Sequence, residues 1–254
     1  MTTGCAGLSV AIITLNEEQN IRACLESVKW ADDVVVCDSG SRDRTVAIAE
    51  SYGARIFQDE WRGFAAHKNL AVERCRGDWV LVLDADERVP EGLRREIEGV
   101  VRTAGSPDGY SVGRRNYFLG AWIRHGGWYP DRSVRLFRKG RGQFENRAVH
   151  ETVQVAGSVG SLREVMEHHT YASVQDFLQR MVRYADLAGG EMHAAGKRCQ
   201  LTDLTLRPMW TFVRMYVFQR GFLDGWRGLL LAGLYACYTF AKYAALWERG
   251  VGRG

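Results

Sequence analysis

The chain has 254 residues, enough for one large α/β domain plus an appendage. Its 46% hydrophobic and 25% charged content excludes wholesale disorder. Six scattered cysteines with no Cys-x-x-Cys pair argue against a zinc site or a disulfide framework and fit a reducing compartment. The net charge of +4 is unevenly placed: from Arg207 onward seven Lys/Arg face two acids, which leaves +5 on the tail and −1 on the rest. That pattern points to an anionic surface as partner, and nucleic acid is not expected. The N-terminus lacks a basic region leading into an apolar run that ends in small residues, so no secretory signal is expected.

Leu8 to Leu15 is apolar and β-branched and reads as a buried strand. Asn16-Glu17-Glu18-Gln19-Asn20 breaks it and caps a helix running to about Val28. Asp33 to Cys37 is a second strand, ending at Asp38-Ser39-Gly40-Ser41. Ser41 or Asp43 then caps a helix over Thr45 to Tyr52, and Gly53 ends it. Ala54 to Phe57 is a third strand, Phe64 to Cys75 a helix, Asp78 to Leu83 a strand and Pro90 to Arg102 a helix. This alternation predicts a parallel sheet with crossover helices. From Gly109 the period changes: Tyr110 to Phe118 and Arg132 to Arg138 read as strands separated by glycine-rich loops. Val174 to Gly189 is an amphipathic helix.

The fourth strand runs into Asp84-Ala85-Asp86-Glu87. Alternate residues at a strand end point the same way, so both aspartates can face one site at the carboxyl edge of the sheet, where open α/β folds bind ligands. Two hard oxygen ligands there suit a divalent cation that also holds a diphosphate. Polar clusters also follow the first two strands, and a parallel sheet gathers all three at one edge.

These clusters resemble the nucleotide-sugar-binding half of glycosyltransferase family 2, the GT-A fold. The elements are Thr-Leu-Asn-Glu-Glu at 14–18, Asp-Ser-Gly-Ser-x-Asp-x-Thr at 38–45, Lys68-Asn69 before a Gly-Asp-Trp strand, and Asp84-Ala-Asp86-Glu87. The match is tight from Val10 to Glu87 and looser beyond. It implies a Rossmann-like, mostly parallel sheet flanked by helices. Residues 1–170 would be catalytic, with 1–105 binding the nucleotide sugar and 106–170 the acceptor; 171–254 would be a helical, membrane-associating appendage.

The resemblance implies roles. Thr14, Asn16 and Glu17 would line the base and ribose pocket, and Asp38 would accept the uracil imide hydrogen. Leu15, Ser39, Gly40 and Ala85 would belong to the same nucleotide-sugar-binding set. Asp84 would contact ribose and metal, Asp86 would ligate Mg²⁺ or Mn²⁺ directly, and Lys68 would support the phosphates. Direct displacement with inversion needs a carboxylate base, for which Glu151 leads and Asp131 is the alternative. His150 would orient acceptor or base, Trp128 and Tyr129 would stack on a sugar face, and Arg132 or Arg135 would meet a phosphate. Of His168-His169, His169 is the expected addition to the metal shell.

The tail from Met209 to Phe222 is aromatic and apolar, and Trp226 to Trp247 carries two charges, Arg227 and Lys242. Its length permits a span, but paired helices lying on an anionic leaflet are the preferred reading, with a helical hairpin packed on the protein as the remaining option. With Arg207-Pro208, then Phe222-Leu223-Asp224-Gly225-Trp226-x-Gly228 and an aromatic ending, the tail resembles that of the lipopolysaccharide core β-1,4-glucosyltransferases within family 2. The reading is therefore an inverting, metal-dependent enzyme, peripheral on the cytoplasmic face of the membrane. It would move a hexose, with glucose favoured, from a UDP donor to a lipid-linked saccharide. A polyprenyl-phosphate sugar synthase and a non-catalytic nucleotide-sugar-binding protein are the rivals, and a homo-oligomer is left open.

Overall fold

The computed structural model describes residues 7–145 and 152–251. In chain order the elements begin β1 (Leu8–Thr14), α1 (Ile21–Val28), β2 (Asp33–Asp38), α2 (Thr45–Ser51), β3 (Arg55–Gln58), α3 (Phe64–Arg74), β4 (Trp79–Asp84), β5 (Glu87–Arg88) and α4 (Glu91–Arg102). They continue β6 (Gly109–Phe118), β7 (Ala121–Trp122), β8 (Asp131–Arg138), β9 (Gly142–Phe144), β10 (Val153–Val155), β11 (Val159–Tyr171), α5 (Val174–Ala194), α6 (Leu201–Val213) and α7 (Gly225–Val251). A π turn over Arg214–Phe218 and a 3-10 turn over Gly221–Asp224 join the last two helices.

The main sheet has the order β3-β2-β1-β4-β8-β6-β11-β5, with β7 paired to β6; β9 and β10 form a separate ribbon. β3, β2, β1 and β4 are parallel, whereas β8 joins β4 and β6 antiparallel and β11 joins β5 antiparallel. The sheet is thus mixed: β3, β2, β1 and β4 form its parallel half, in the crossover pattern, and antiparallel strands extend it. The register sets Thr14 opposite Asp38 and Ile13 opposite Asp84, so the carboxyl ends of β1, β2 and β4 finish level. The apolar runs of these strands alternate between two covered faces. One layer is Leu8, Val10, Ile12, Leu81 and Leu83 against Ile21, Leu25, Leu93 and Ile97. The other is Ala11, Val35, Val80 and Val82 against Ala65, Ala71 and Val72.

The chain forms two compact units, and they do not follow a division at residue 170. One comprises the residues up to Arg114 with Asp131–His168; the other comprises Arg115–Pro130 with the residues from His169 onward. The reason is packing. Phe118, Ile123 and Trp128 share one buried cluster with Phe177, Met215, Leu231, Ala232 and Leu234, so the 115–130 segment supplies core to the helical unit. Asp224 fastens this segment further by accepting from the His125 backbone N–H at 2.8 Å. The helix from Gly221 to Val251 is long and apolar enough to cross a membrane by length and composition. One side of α7 is core of the second unit, and the other leaves Trp226, Leu229, Phe240 and Trp247 exposed.

Candidate active site

The first two loops at the sheet's carboxyl edge are stitched to each other. Asn16, at φ 55°, donates its N–H to Ser41 Oγ (2.8 Å) and accepts the Arg42 N–H on Oδ1 (2.8 Å). The Glu17 N–H donates to Thr45 Oγ1 (2.8 Å), and the Glu18 N–H to Asp43 Oδ2 (3.1 Å). Asp38 is fully buried; its carboxylate accepts the N–H groups of Gly40 (2.9 Å) and Ser41 (2.8 Å) and the Ser41 hydroxyl. A carboxylate has about four lone-pair sites, so Asp38 first shapes its own loop and keeps roughly one site for a ligand. Ser39 accepts or donates with His67 Nε2 at 2.9 Å. Burial pushes the His67 imidazole below its usual range. Leu15 is exposed, while Thr14 is buried and its hydroxyl has no partner among the described residues. A buried polar atom without a partner is costly, and its place beside Asp38 suits a nucleoside.

The third loop carries a chain of alternating charges. Lys68 Nζ lies 2.9 Å from Asp84 Oδ1, and Arg135 Nη2 3.2 Å from Asp84 Oδ2. Arg135 also donates to Glu87 Oε1 at 2.7 Å, and Arg114 reaches the same oxygen at 3.3 Å. Arg114 in turn clamps Asp131 with two bonds of 3.0 Å. Glu87 is fully buried and also accepts the Asp84 N–H at 2.9 Å, so it fixes the turn that aims the aspartates. Burial pushes the Asp84 carboxyl up, but Lys68 and Arg135 outweigh it and hold the group well below the usual carboxylate range. Lys68 is not a solvated surface lysine: it is 3% exposed.

Asp86, 7% exposed, lies 3.5 Å from His168 Nε2. Burial lowers the imidazole's pKa, yet the Asp86 carboxylate and then Glu87 raise it above the usual value. His168, not His169, is therefore the histidine beside the paired aspartates. The pairing of β11 with β5 sets His168 opposite Glu87, and the next side chain on the strand points the other way. His169 instead stacks on Tyr117, ring centroids 4.7 Å apart and planes at 6°. Among the described residues no three His, Cys, Asp or Glu side chains converge as an ion cage. Mg²⁺ in phosphate-transfer sites takes one or two carboxylates plus phosphate oxygens and water, and Asp86 is of that donor type.

Other expected positions fall elsewhere. Arg132 donates to Ser111 O at 3.1 Å and Ser161 Oγ at 2.7 Å, so it ties β6 to the start of β11 rather than meeting a phosphate; Arg135 and Arg114 are the arginines at the carboxylates. Trp128 is 9% exposed and packs between Phe118, Tyr171 and Tyr235, so it is core and not a sugar platform. Tyr129 is 39% exposed. Asp131 is clamped by Arg114, whose Nε and Nη2 each donate to it at 3.0 Å. His150 and Glu151 lie outside the described residues. Glu87, Arg114 and Arg135 were not singled out together from sequence, although a charged residue inside an apolar strand, as in Ser-Val-Arg135-Leu-Phe, signals a buried partner.

Buried carboxylates, two arginines and a lysine at the carboxyl edge of an α/β sheet define a site for a phosphorylated nucleotide ligand. The comparisons make this specific: residues 9–170 match the model of "Glycosyl transferase family 2", and the chain belongs to that family and is a glycosyltransferase. It is 31% identical, over 95% of its length and 92% of the relative's, to the lipopolysaccharide core biosynthesis glycosyltransferase LpsC of Rhizobium meliloti. An uncharacterized glycosyltransferase of Rickettsia felis is 30% identical over 95% of this chain and 89% of its own. Among solved structures, S. aureus TarS 1-349 aligns over 97% of this chain and 92% of its own, at 16% identity and a TM-score of 0.49.

Proposed function

We propose that this enzyme transfers a hexose, with glucose favoured, from a UDP donor to a lipid-linked saccharide of the lipopolysaccharide inner-core type, with inversion and with a divalent cation. The single observation that carries the reading is the Lys68–Asp84–Arg135–Glu87 network with Asp86 and His168 beside it. Cations hold one aspartate ionised while the second is left to a metal donor set. Asp86 and His168 would hold Mg²⁺ or Mn²⁺, which when bound neutralises charge growing on the departing diphosphate. Lys68, Arg135 and the edge of the sheet orient the donor, and the Thr14 hydroxyl beside Asp38, without a partner among the described residues, supports a nucleoside pocket there. Glu151 is proposed as the base that takes the acceptor hydroxyl proton, on sequence grounds.

The lipid-linked acceptor rests on the likeness to LpsC and on the tail. Trp210 (56%), Phe218 (66%) and Trp226 (58%) are exposed near Arg207, Arg214 and Arg220. Aromatic residues with arginines suit the boundary of an anionic leaflet, so the enzyme would act while docked on the inner face of the membrane. The test is transfer of labelled glucose from UDP-glucose to truncated lipopolysaccharide core. Labelled product that disappears with Glu151→Gln supports the reading. Transfer to polyprenyl phosphate but not to core saccharide would replace it with the polyprenyl-phosphate synthase reading.

A further inference from the structure

Within the second unit, one face of the β6–β7 hairpin gathers cations and rings that the donor site does not use. Trp122 pairs with Tyr117 across the hairpin. Arg115 precedes Tyr117 by two positions and so shares its face. The Arg115 guanidinium lies 5.1 Å from the Trp122 ring centroid, and that of Arg124 4.4 Å from the same ring. Tyr129 meets Trp122 edge-on, centroids 5.5 Å apart.

Neither guanidinium has a carboxylate partner among the described residues, whereas Arg55, Arg74, Arg114 and Arg135 are each paired to an acid. Stacking on an indole restrains an arginine without using its five N–H donors. Two restrained guanidiniums with unused donors are pre-organised for a planar or tetrahedral oxyanion. Tyr129 beside them is 39% exposed, and such a ring presents an apolar face to a sugar.

We infer that Arg115, Arg124, Trp122 and Tyr129 form a subsite for a phosphorylated saccharide, the arginines taking the phosphate and Tyr129 the pyranose face. This deepens the proposed function, on which it rests: it gives the acceptor a phosphate and gives this face its recognition.

The test is calorimetric titration of the full chain with core oligosaccharide, freed of lipid, in phosphorylated and phosphatase-treated forms. Wild type should bind the phosphorylated form about tenfold tighter, the usual scale of a charge-assisted pair. Millimolar inorganic phosphate should compete. Arg115→Gln with Arg124→Gln should bring the two forms within about twofold, while Trp122→Phe, which keeps a ring under the cations, should retain most of the preference. Equal binding of both forms by wild type, a full preference surviving in the double arginine variant, or failure of phosphate to compete would each overturn the inference and leave the donor reading standing. Binding of neither form would remove the saccharide-acceptor reading and this inference with it.

Discussion

Replacing Glu87 with alanine should destabilise the first unit more than any other single change at the site. The side chain is fully buried and accepts from Arg135 at 2.7 Å, Arg114 at 3.3 Å and the Asp84 N–H at 2.9 Å. Its removal takes from Arg135, 5% exposed, its 2.7 Å carboxylate partner, keeps the 3.2 Å contact to Asp84, and leaves the turn amide without the Glu87 acceptor. Removing one partner of a buried ion pair costs about 3–5 kcal/mol. For a protein of this size that is roughly 6–20 °C in Tm, at 2–4 °C per kcal/mol. Glu87→Gln keeps an acceptor and the volume, and should cost about half as much. Thermal unfolding followed by circular dichroism at pH 7 measures both. An alanine variant within about 1 kcal/mol of wild type would refute the claim that this buried network holds the site.

Other expectations follow from single groups. Thr14→Val removes a buried hydroxyl that has no partner among the described residues, so Tm should hold or rise while UDP affinity falls about three- to tenfold; a fall in Tm with unchanged affinity would mean the hydroxyl serves the fold. Asp33 is pushed up by burial, but Arg55, Ser9 and the Arg76 N–H overcome this and set it at about 2, from 3.8. Its folded pKa is depressed, so the contribution of about 2 kcal/mol is complete above pH 4 and disappears as pH falls toward 2. Asp33→Asn should flatten that limb of the stability profile, and an unchanged acid limb would contradict the pairing. Trp210→Ser, Phe218→Ser and Trp226→Ser together should lower co-sedimentation with anionic vesicles about tenfold or more with Tm preserved, because these side chains lie outside the core. Undiminished co-sedimentation would show that the aromatic tail is not the anchor.

The elements of the first hundred residues were legible because each is decided locally. An apolar run ending in a polar cluster reads as a strand, and a 3.6-residue period reads as a helix. Gathering Thr14, Asp38 and Asp84 at one edge needed only the assumption of a parallel sheet, and the register of β1 with β2 and β4 meets it. What sequence left unread depends on long-range pairing. The choice between His168 and His169 turns on which residue of β11 stands opposite Glu87, a one-residue matter that reverses faces. Trp128 reads as a surface aromatic in a glycine-rich loop, yet its ring is buried with helix residues a hundred positions later. Arg132 and Arg135 look equivalent in the strand sequence, but they project from opposite sides. One reaches Ser161 and the other Glu87.

The most direct test of the central claim is release of UDP from UDP-glucose and other UDP- and GDP-sugars, with Mg²⁺ or Mn²⁺, with and without EDTA, in wild type and in Asp86→Ala. The account predicts release from one UDP-sugar that stops on chelation, returns with added cation, and is absent from a normally folded Asp86→Ala protein. Release that ignores EDTA, or that persists at the wild-type rate in Asp86→Ala, would contradict it.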